Sequence, residues 1–291
     1  MEKSSILNLS LSIVFFFLLM YPNFNFSQNQ KFVEYKKNKG QKTITVFYYT
    51  YNVLYATIFT SLAAIFYEIV KNMRENSIKK LKKERNTKLE NENKSENGNK
   101  ISTENLKSEK IDTTYLYEND DLSKLTMIFN KCKLLYVCSV YLVFSFNMIL
   151  MLIFWPLYFI KPSLVKGKKS LLPEYLTPIF TELCEHLVPF LYSFMQLTYL
   201  KFYMNKEKIS KILIRTIIYV FAIYIYITFI TCKLVEDKYP YGFMNNMSWY
   251  LVILFVFGSG LAADIICMIS IRLTKNNTTV QENTQKYETY E

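Results

Sequence analysis

The sequence has little glycine and almost no histidine: its 291 residues contain six glycines and one histidine, His186. No glycine-rich phosphate-binding loop is present, and Gly258-Ser259-Gly260 lacks the spacing of a nucleophile elbow. The five cysteines form no C-x-x-C pair, and together with a single histidine they argue against a zinc site. We therefore predict neither a cofactor nor a metal centre.

Hydrophobic residues, in contrast, make up 51% of the sequence and aromatic residues 17%, more than is usual in a soluble domain. A helix needs about 20 apolar residues to cross the hydrocarbon layer of a membrane. The sequence contains six apolar runs near this length: 6–22, 44–70, 134–160, 176–200, 212–232 and 248–271. We therefore predict an all-α, polytopic membrane protein, a helical bundle with six transmembrane helices.

Positive charge between the apolar runs predicts how the chain is oriented. The formal net charge is +11 at pH 7. With a cytoplasmic N-terminus, 24 of the 35 lysines and arginines fall on the cytoplasmic side and 11 on the other. Because loops rich in lysine and arginine remain in the cytoplasm, we predict that both termini are cytoplasmic. This distribution accounts for the lysines, so we expect no nucleic-acid partner.

Composition divides the chain into four parts. Between about 71 and 121 it consists mainly of Lys, Glu, Asn and Ser, and such a segment buries too little apolar surface to fold. We predict a disordered, solvated cytoplasmic insert there. The parts are helices one and two with their outer loop (1–70), the insert (71–121), helices three to six (122–274) and a cytoplasmic tail (275–291).

Three local patterns add detail to the predicted helices. The run 6–22 follows a basic residue, as a signal peptide does, but no small-x-small cleavage site comes after it, so we interpret it as a span and keep cleavage as the alternative. The aromatic segment 154–159 before Lys161 is typical of a membrane interface. The small residues of Gly258–Ala263 predict close contact with a neighbouring helix.

The fourth apolar run contains three ionisable residues, Glu182, Glu185 and His186. Charged groups at the centre of a membrane cost about 2.5 kcal/mol or more each, so they generally face a bundle interior and mark function. Glu182 precedes His186 by four residues and shares its face of an α-helix, which makes it a candidate to orient the imidazole. Glu185 is expected to point elsewhere. Pro189 removes a hydrogen bond to the Glu185 carbonyl and is expected to bend the helix.

A partner for His186 has to lie at a similar depth in the membrane. At about 1.5 Å per residue from the outer helix ends, His186 lies about 15 Å deep and Thr50 about 9 Å deep. Thr50 is therefore a candidate nucleophile, although a threonine in a membrane more often bonds to its own helix. Tyr51 and Asn52 either support an oxyanion or simply pack. Asp264 lies towards the cytoplasmic side and is a poor partner.

Several segments, in their order along the chain, resemble the androgen-induced gene family of multipass membrane proteins. These are Thr50 near the outer end of the second run, the aromatic segment Phe154–Ile160, His186 followed by Val188-Pro189-Phe190, and Tyr239–Phe243 before the sixth run. Characterised members of that family are threonine hydrolases that cleave fatty acid esters of hydroxy fatty acids. The resemblance implies Thr50 as nucleophile, His186 as general base and a lipid ester within the bilayer as substrate.

Alternatives remain for both the site and the function. If the alignment with the family is shifted, Thr43, Thr45 or Thr57 replaces Thr50 as the nucleophile. Two functions are alternatives to a hydrolase. One is a non-catalytic membrane regulator or scaffold of the same fold, and the other is a small proton- or ion-coupled transporter. The sequence predicts an integral membrane protein of the endoplasmic reticulum or the plasma membrane, and it leaves the oligomeric state open.

Overall fold

Six long helices make up most of the described protein. The structure is a computed structural model that describes residues 3–28, 49–95, 120–160, 183–203, 210–237 and 239–275. In chain order the helices are α1 (Lys3–Gln28), α2 (Tyr49–Ser95), α3 (Asp120–Ile160), α4 (Val188–Tyr203), α5 (Lys211–Glu236) and α6 (Trp249–Lys275). A π-helical turn, Leu183–Leu187, leads directly into α4, and a 3-10 helix, Gly242–Asn246, precedes α6. The described residues contain no strand, and the all-α prediction is confirmed.

Five of these helices, α1, α2, α3, α5 and α6, are long and apolar enough to cross a membrane. Of the fourth predicted run, 176–200, the structure describes only the part from Leu183 onwards, in helical segments that end at Tyr203; residues 161–182 lie outside the described part. The protein is therefore a polytopic helical membrane protein. A sixth crossing and the side on which the two termini lie remain predictions.

Helix α3 is the centre of the bundle. It packs against α2, α4, α5 and α6, and 72% of its most apolar stretch is buried, against 22% in α1. The outer helices instead expose large apolar side chains, among them Phe17, Val220 and Phe257. A helix that is apolar on all sides is expected at the centre, while exposed apolar faces are stable when lipid covers them.

The predicted disordered insert differs from the structure over about its first half, because α2 continues without interruption to Ser95. No proline or glycine occurs between 71 and 95, and the segment is rich in Lys and Glu, which favour helix. Lys80 and Glu84, which lie one turn apart, form an exposed ion pair with an N–O distance of 3.9 Å, and this pair stabilises the helix slightly. None of the side chains described from 71 to 87 is buried. The prediction for 96–119 concerns residues outside the described part.

A network of buried polar side chains holds α1 against the bundle. Glu68 of α2 accepts hydrogen bonds from Asn8 Nδ2 at 2.8 Å and Tyr199 Oη at 2.6 Å. Gln196 of α4 donates to Asn8 Oδ1 at 3.1 Å and to Ser12 Oγ at 3.2 Å. Because these bonds join three helices, α1 is fixed by specific polar contacts as well as by apolar packing.

Helices α5 and α6 are joined by charge and by a close approach. Arg215 donates two hydrogen bonds to Asp264, at 2.9 and 2.8 Å, so Asp264 belongs to this pair. A Cβ added at Gly260 would lie 3.2 Å from Cβ of Ala222, whereas one added at Gly258 meets nothing within 4 Å. The predicted close helix contact therefore occurs at Gly260, and Gly258 faces outwards.

Candidate functional site

Thr50 lies in the first turn of α2 as the structure describes it and contacts a loop from the other end of the chain. Its Oγ1 is 3.1 Å from the hydroxyl oxygen of Tyr241, and either group can be the donor. The backbone N–H of Thr50 donates to the same hydroxyl oxygen at 3.1 Å. Both residues are buried. The hydroxyl of Tyr241 thus contacts both the backbone and the side chain of Thr50.

The loop that carries Tyr241 is closed by one asparagine. The Asn245 side chain accepts a hydrogen bond from the Tyr239 backbone N–H at 2.7 Å. It also donates to the carbonyl oxygens of Tyr239 and Tyr241, both at 3.1 Å. Since Asn245 bonds to the backbone on both sides of Pro240, it holds the Tyr241 side chain in a defined position.

His186 lies in the π-helical turn that precedes α4. Cys184, Glu185 and His186 are all buried in this turn. Pro189 has no N–H, so the carbonyl of Glu185 has no α-helical donor, and the chain adopts a wider turn at this point. The predicted distortion next to the histidine is present, in the form of a π turn. Isolated π turns within helices are frequent at functional sites.

The imidazole of His186 packs against the aromatic segment of α3. Its ring is stacked on Phe154, with centroids 3.4 Å apart and planes 20° apart. Trp155 meets the same imidazole edge-on at 6.4 Å. The interpretation of 154–159 as a membrane interface is wrong for Phe154, which is 4% exposed. The reason is that α3 is the central helix, so this face of the segment meets the π turn instead of lipid headgroups.

A hydrogen bond joins the neighbours of Thr50 and His186 in the chain. The Tyr51 hydroxyl donates to Glu185 Oε1 at 3.1 Å, and both residues are buried. Glu185 therefore contacts α2, while the ring of His186 packs against α3.

Tyr241 is a neutral phenol at physiological pH. Burial raises the pKa of Tyr241 to about 12, although the hydrogen bonds with Thr50 oppose the shift; the nearby carboxylate of Glu185 adds to it. Buried phenols resist ionisation because the anion loses its solvation. The hydroxyl therefore keeps its proton and can donate it in a hydrogen bond to an oxygen that becomes negatively charged.

The other predicted site residues have different surroundings. Asn52 is buried, and its Oδ1 accepts a hydrogen bond from the Tyr224 hydroxyl of α5 at 3.2 Å. Thr57, an alternative nucleophile, donates to the carbonyl of Val53 one turn earlier at 2.7 Å. Such a bond to its own helix is the ordinary role of a membrane threonine. Three predicted positions, Glu182, Thr43 and Thr45, lie outside the described residues.

An apolar pocket opens beside this cluster. It is lined by α2, α3, α5, α6 and the Tyr241 loop, and its empty volume is about 600 Å³ including the part open to the outside. Tyr241, which contacts Thr50, and Phe154, which stacks on His186, both belong to the wall. Most of the remaining wall is aliphatic or phenylalanine. Thr50 and His186 are not wall residues themselves, but each contacts one, so the candidate nucleophile and base lie near a space for apolar ligands.

Fold and site together define a class: a multipass helical membrane protein with a buried threonine, histidine and tyrosine beside an apolar pocket. The family model of FAR-17a/AIG1-like proteins matches residues 112–275, more than half of the chain, and the chain belongs to this family. The matched part includes His186 and Tyr241, while Thr50 lies before it. Neither the curated proteins nor the solved structures provide a match.

Sequence reasoning missed three residues of the site: Tyr241, Glu185 and Asn245. The sequence did contain a signal for Tyr241, because Tyr239–Phe243 is a compact aromatic loop with a proline and a glycine between two apolar runs. Glu185 was visible as a carboxylate in an apolar run, but its direction depended on the π turn. Nothing in the sequence distinguishes Asn245 from other loop asparagines.

Proposed function

We propose that this protein is a membrane-embedded lipid ester hydrolase with Thr50 as nucleophile and His186 as general base. The family resemblance implies fatty acid esters of hydroxy fatty acids as its substrates. The enzyme would be a carboxylic ester hydrolase that needs neither a metal nor a cofactor. Its substrates would be esters that partition into the bilayer of the endoplasmic reticulum or the plasma membrane and enter the bundle from there.

The hydrogen bond from Tyr51 to Glu185 carries this proposal. Thr50 and His186 are 136 positions apart in the sequence, and this contact of 3.1 Å joins the residues directly next to them. A nucleophile and its base need to come within hydrogen-bond reach in the substrate complex, and such distances are commonly longer without substrate. The contact supports an arrangement in which the two side chains approach each other beside the ester carbonyl.

The reaction follows from ordinary acyl-transfer chemistry. His186 accepts the proton of the Thr50 hydroxyl while Oγ1 bonds to the ester carbonyl carbon, and a tetrahedral oxyanion forms. The imidazolium returns the proton to the departing alkoxide, which leaves as the hydroxy fatty acid alcohol. Water, deprotonated by His186, then attacks the acyl-threonine ester. The products are the free fatty acid and the original threonine hydroxyl.

Tyr241 is placed to stabilise the oxyanion. Its hydroxyl contacts Oγ1 and the backbone N–H of Thr50, the two groups nearest to the attacked carbonyl. Because the phenol is neutral, it can rotate its proton towards the developing negative charge. The released amide of Thr50 provides a second donor, which is a common arrangement in acyl-transfer enzymes.

The test is labelling of the detergent-solubilised protein with a fluorophosphonate, followed by mapping of the modified residue. Wild type is compared with Thr50→Ala and with His186→Phe, which keeps an aromatic ring against Phe154 but has no base. Thr60→Ala is the matched control, because Thr60 is a buried threonine of α2 whose hydroxyl donates to the Ala56 carbonyl at 2.9 Å. We expect modification of Thr50, lost in both site variants and retained in the control.

Unlabelled wild type, or equal labelling of all four proteins, refutes the hydrolase assignment. The non-catalytic regulator or scaffold then becomes the preferred function. A proton-coupled transporter is supported by one separate observation, the fully buried carboxylate Glu68 in the network with Asn8 and Tyr199. A pH-dependent current in liposomes that disappears in Glu68→Gln would favour that second candidate.

A further inference from the structure

We propose that the apolar pocket binds one unbranched acyl chain of the ester, and that the contact between α5 and α6 at Gly260 limits the length of that chain. This inference rests on the proposed function, because it assigns the acyl part of the substrate to a defined place beside Thr50. Three observations support the inference: the pocket lies near Thr50 and His186, it extends along the helices, and it is narrow where α5 and α6 meet.

The candidate catalytic residues contact the pocket through two of its wall residues. Tyr241 and Phe154 line the wall, and they contact Thr50 and His186 respectively. Thr50 and His186 are not wall residues themselves, so a chain attached to an ester carbonyl at Thr50 reaches the pocket past these contact residues. Of the two groups joined by the ester, the acyl group is the one bonded to the carbonyl carbon that is attacked, so its chain enters the pocket.

The pocket wall is mostly hydrocarbon, and its hydroxyl groups are already hydrogen-bonded within the protein. The Tyr49 hydroxyl donates to the Phe146 carbonyl at 3.0 Å, and Ser259 Oγ donates to the Phe255 carbonyl at 2.6 Å. These two polar side chains of the wall are therefore bonded to backbone and are not directed at a ligand. A polar or charged ligand would lose its hydrogen bonds to water and gain none from the wall. An alkyl chain makes no hydrogen bonds to water, so its burial has no such cost.

The pocket is elongated along the bundle. On α3 it extends from Phe146 to Leu157, eleven residues apart, which corresponds to about 16 Å along a helix at 1.5 Å per residue. On α5 it includes Ala222 and Phe229, two turns apart. Aliphatic and aromatic side chains share the wall along this length, and such an apolar wall fits an extended alkyl chain.

The end of the pocket away from the Tyr241 loop is narrow. Ala222 and Gly260 both line it, and α5 and α6 approach so closely there that an added Cβ on Gly260 would lie 3.2 Å from Cβ of Ala222. There is no room between these helices for a chain to pass. A larger residue at Gly260 would shorten the available space without touching Thr50, Tyr241 or His186.

The experiment compares hydrolysis of 4-nitrophenyl butanoate and 4-nitrophenyl hexadecanoate by wild type, Gly260→Leu and Gly258→Leu. In Gly260→Leu we expect the ratio of hexadecanoate to butanoate activity to fall about tenfold or more, the scale of steric discrimination in apolar pockets. Gly258→Leu is the matched control, with the same substitution two residues away where nothing lies within 4 Å, and its ratio stays at the wild-type value. An unchanged ratio in Gly260→Leu overturns the inference.

If Gly260→Leu does not fold, a second variant and a second measurement test the same inference. Val256→Phe narrows the same pocket from its α6 wall and is expected to lower the same ratio. Thr50→Ala is also irradiated with a diazirine analogue of hexadecanoic acid, and the labelled peptides are mapped. Labels on α3 residues 146–157 or α6 residues 255–260 support the inference, and labels confined to the outer surface overturn it.

Failure of the proposed function gives a different result. If wild type hydrolyses neither ester, the hydrolase assignment is rejected, and the photolabelling of the pocket still decides whether it binds an acyl chain. If wild type hydrolyses both esters and Gly260→Leu and Val256→Phe keep the wild-type ratio, the hydrolase stands and the acyl-chain pocket is rejected.

Discussion

A single phenol hydroxyl, that of Tyr241, makes two contacts with the candidate nucleophile. It lies 3.1 Å from both Oγ1 and the backbone nitrogen of Thr50. Its ring is held independently, edge-on to Phe229 and stacked on Phe243. The hydroxyl can therefore be removed while the ring remains packed.

Replacement of Tyr241 by Phe is expected to lower kcat for ester hydrolysis by about a hundredfold, which is the usual effect of losing one oxyanion donor. KM is expected to change little, because the ring and the pocket are unaltered. Tyr239→Phe is the control in the same loop, since the loop bonds of Tyr239 to Asn245 are made by its backbone. Equal kcat values for wild type and Tyr241→Phe would show that the phenol takes no part in catalysis.

The pH dependence of this effect follows from the raised pKa of Tyr241, about 12. A phenol with a raised pKa keeps its proton until the pH approaches that value, so its donor function is present throughout the neutral range and is lost only as the pH rises towards 12. We therefore expect the ratio of wild-type to Tyr241→Phe activity to stay constant between about pH 7 and 10. A ratio that falls towards one near pH 10 would mean that Tyr241 ionises like a solvent-exposed phenol.

At the scale of elements, two features of the bundle are not explained by regular α-helices packed through apolar contacts: a π turn and a buried polar network. The π turn Leu183–Leu187 brings Glu185 and His186 into the bundle together, although adjacent residues of an α-helix point in different directions. The polar network of Glu68, Asn8 and Tyr199 fixes α1 at one orientation. Apolar contacts alone do not strongly favour one orientation of a helix in lipid. Buried hydrogen bonds do, because they form only when donor and acceptor face each other.

Replacement of Asn8 by Ala is expected to loosen α1. It removes a donor to the buried Glu68 carboxylate and an acceptor for Gln196, a loss of about 1–3 kcal/mol when a buried group is left without its partner. The thermal unfolding temperature in a fixed detergent should fall accordingly. Leu7→Ala is the control, because Leu7 is 59% exposed on the neighbouring face. Equal melting temperatures for Asn8→Ala and wild type would contradict the structural role of this network.

At the scale of the whole molecule, the number of crossings decides where the termini lie. Five helices are long and apolar enough to span, and the sixth depends on α4 with the preceding π turn and residues 161–182. An even number of crossings leaves the N- and C-termini on one side, and an odd number leaves them on opposite sides. The asymmetry of lysine and arginine predicts an even number with both termini cytoplasmic.

This topology is tested with epitope tags at both termini in cells whose plasma membrane alone is permeabilised. Both tags are expected to react with antibody under this condition and not in intact cells, as cytoplasmic tags do. The sequon Asn25-Phe26-Ser27 in the predicted outer loop supplies an independent marker, since glycosylation there requires the opposite side. Exposure of only one tag would show an odd number of crossings and remove the sixth span.

The sequence by itself determined the class of fold, because helix formation in a membrane depends on local properties. Run length and composition decide whether a segment crosses, and these placed five of the helices near their observed positions. The same locality explains the error at the insert. Without proline or glycine, a charged segment continues a helix that has already begun, so α2 reaches Ser95.

Only the tertiary structure decided the composition of the site. Tyr241 meets Thr50 across 191 positions of sequence, and Tyr51 meets Glu185 across 134. Such contacts depend on how α2, the π turn and the loop before α6 pack around α3, and neither run length nor local periodicity encodes that packing. The sequence singled out Thr50 and His186 as separate candidates, and the packing of the helices joined their neighbours by a hydrogen bond and placed the pocket beside them.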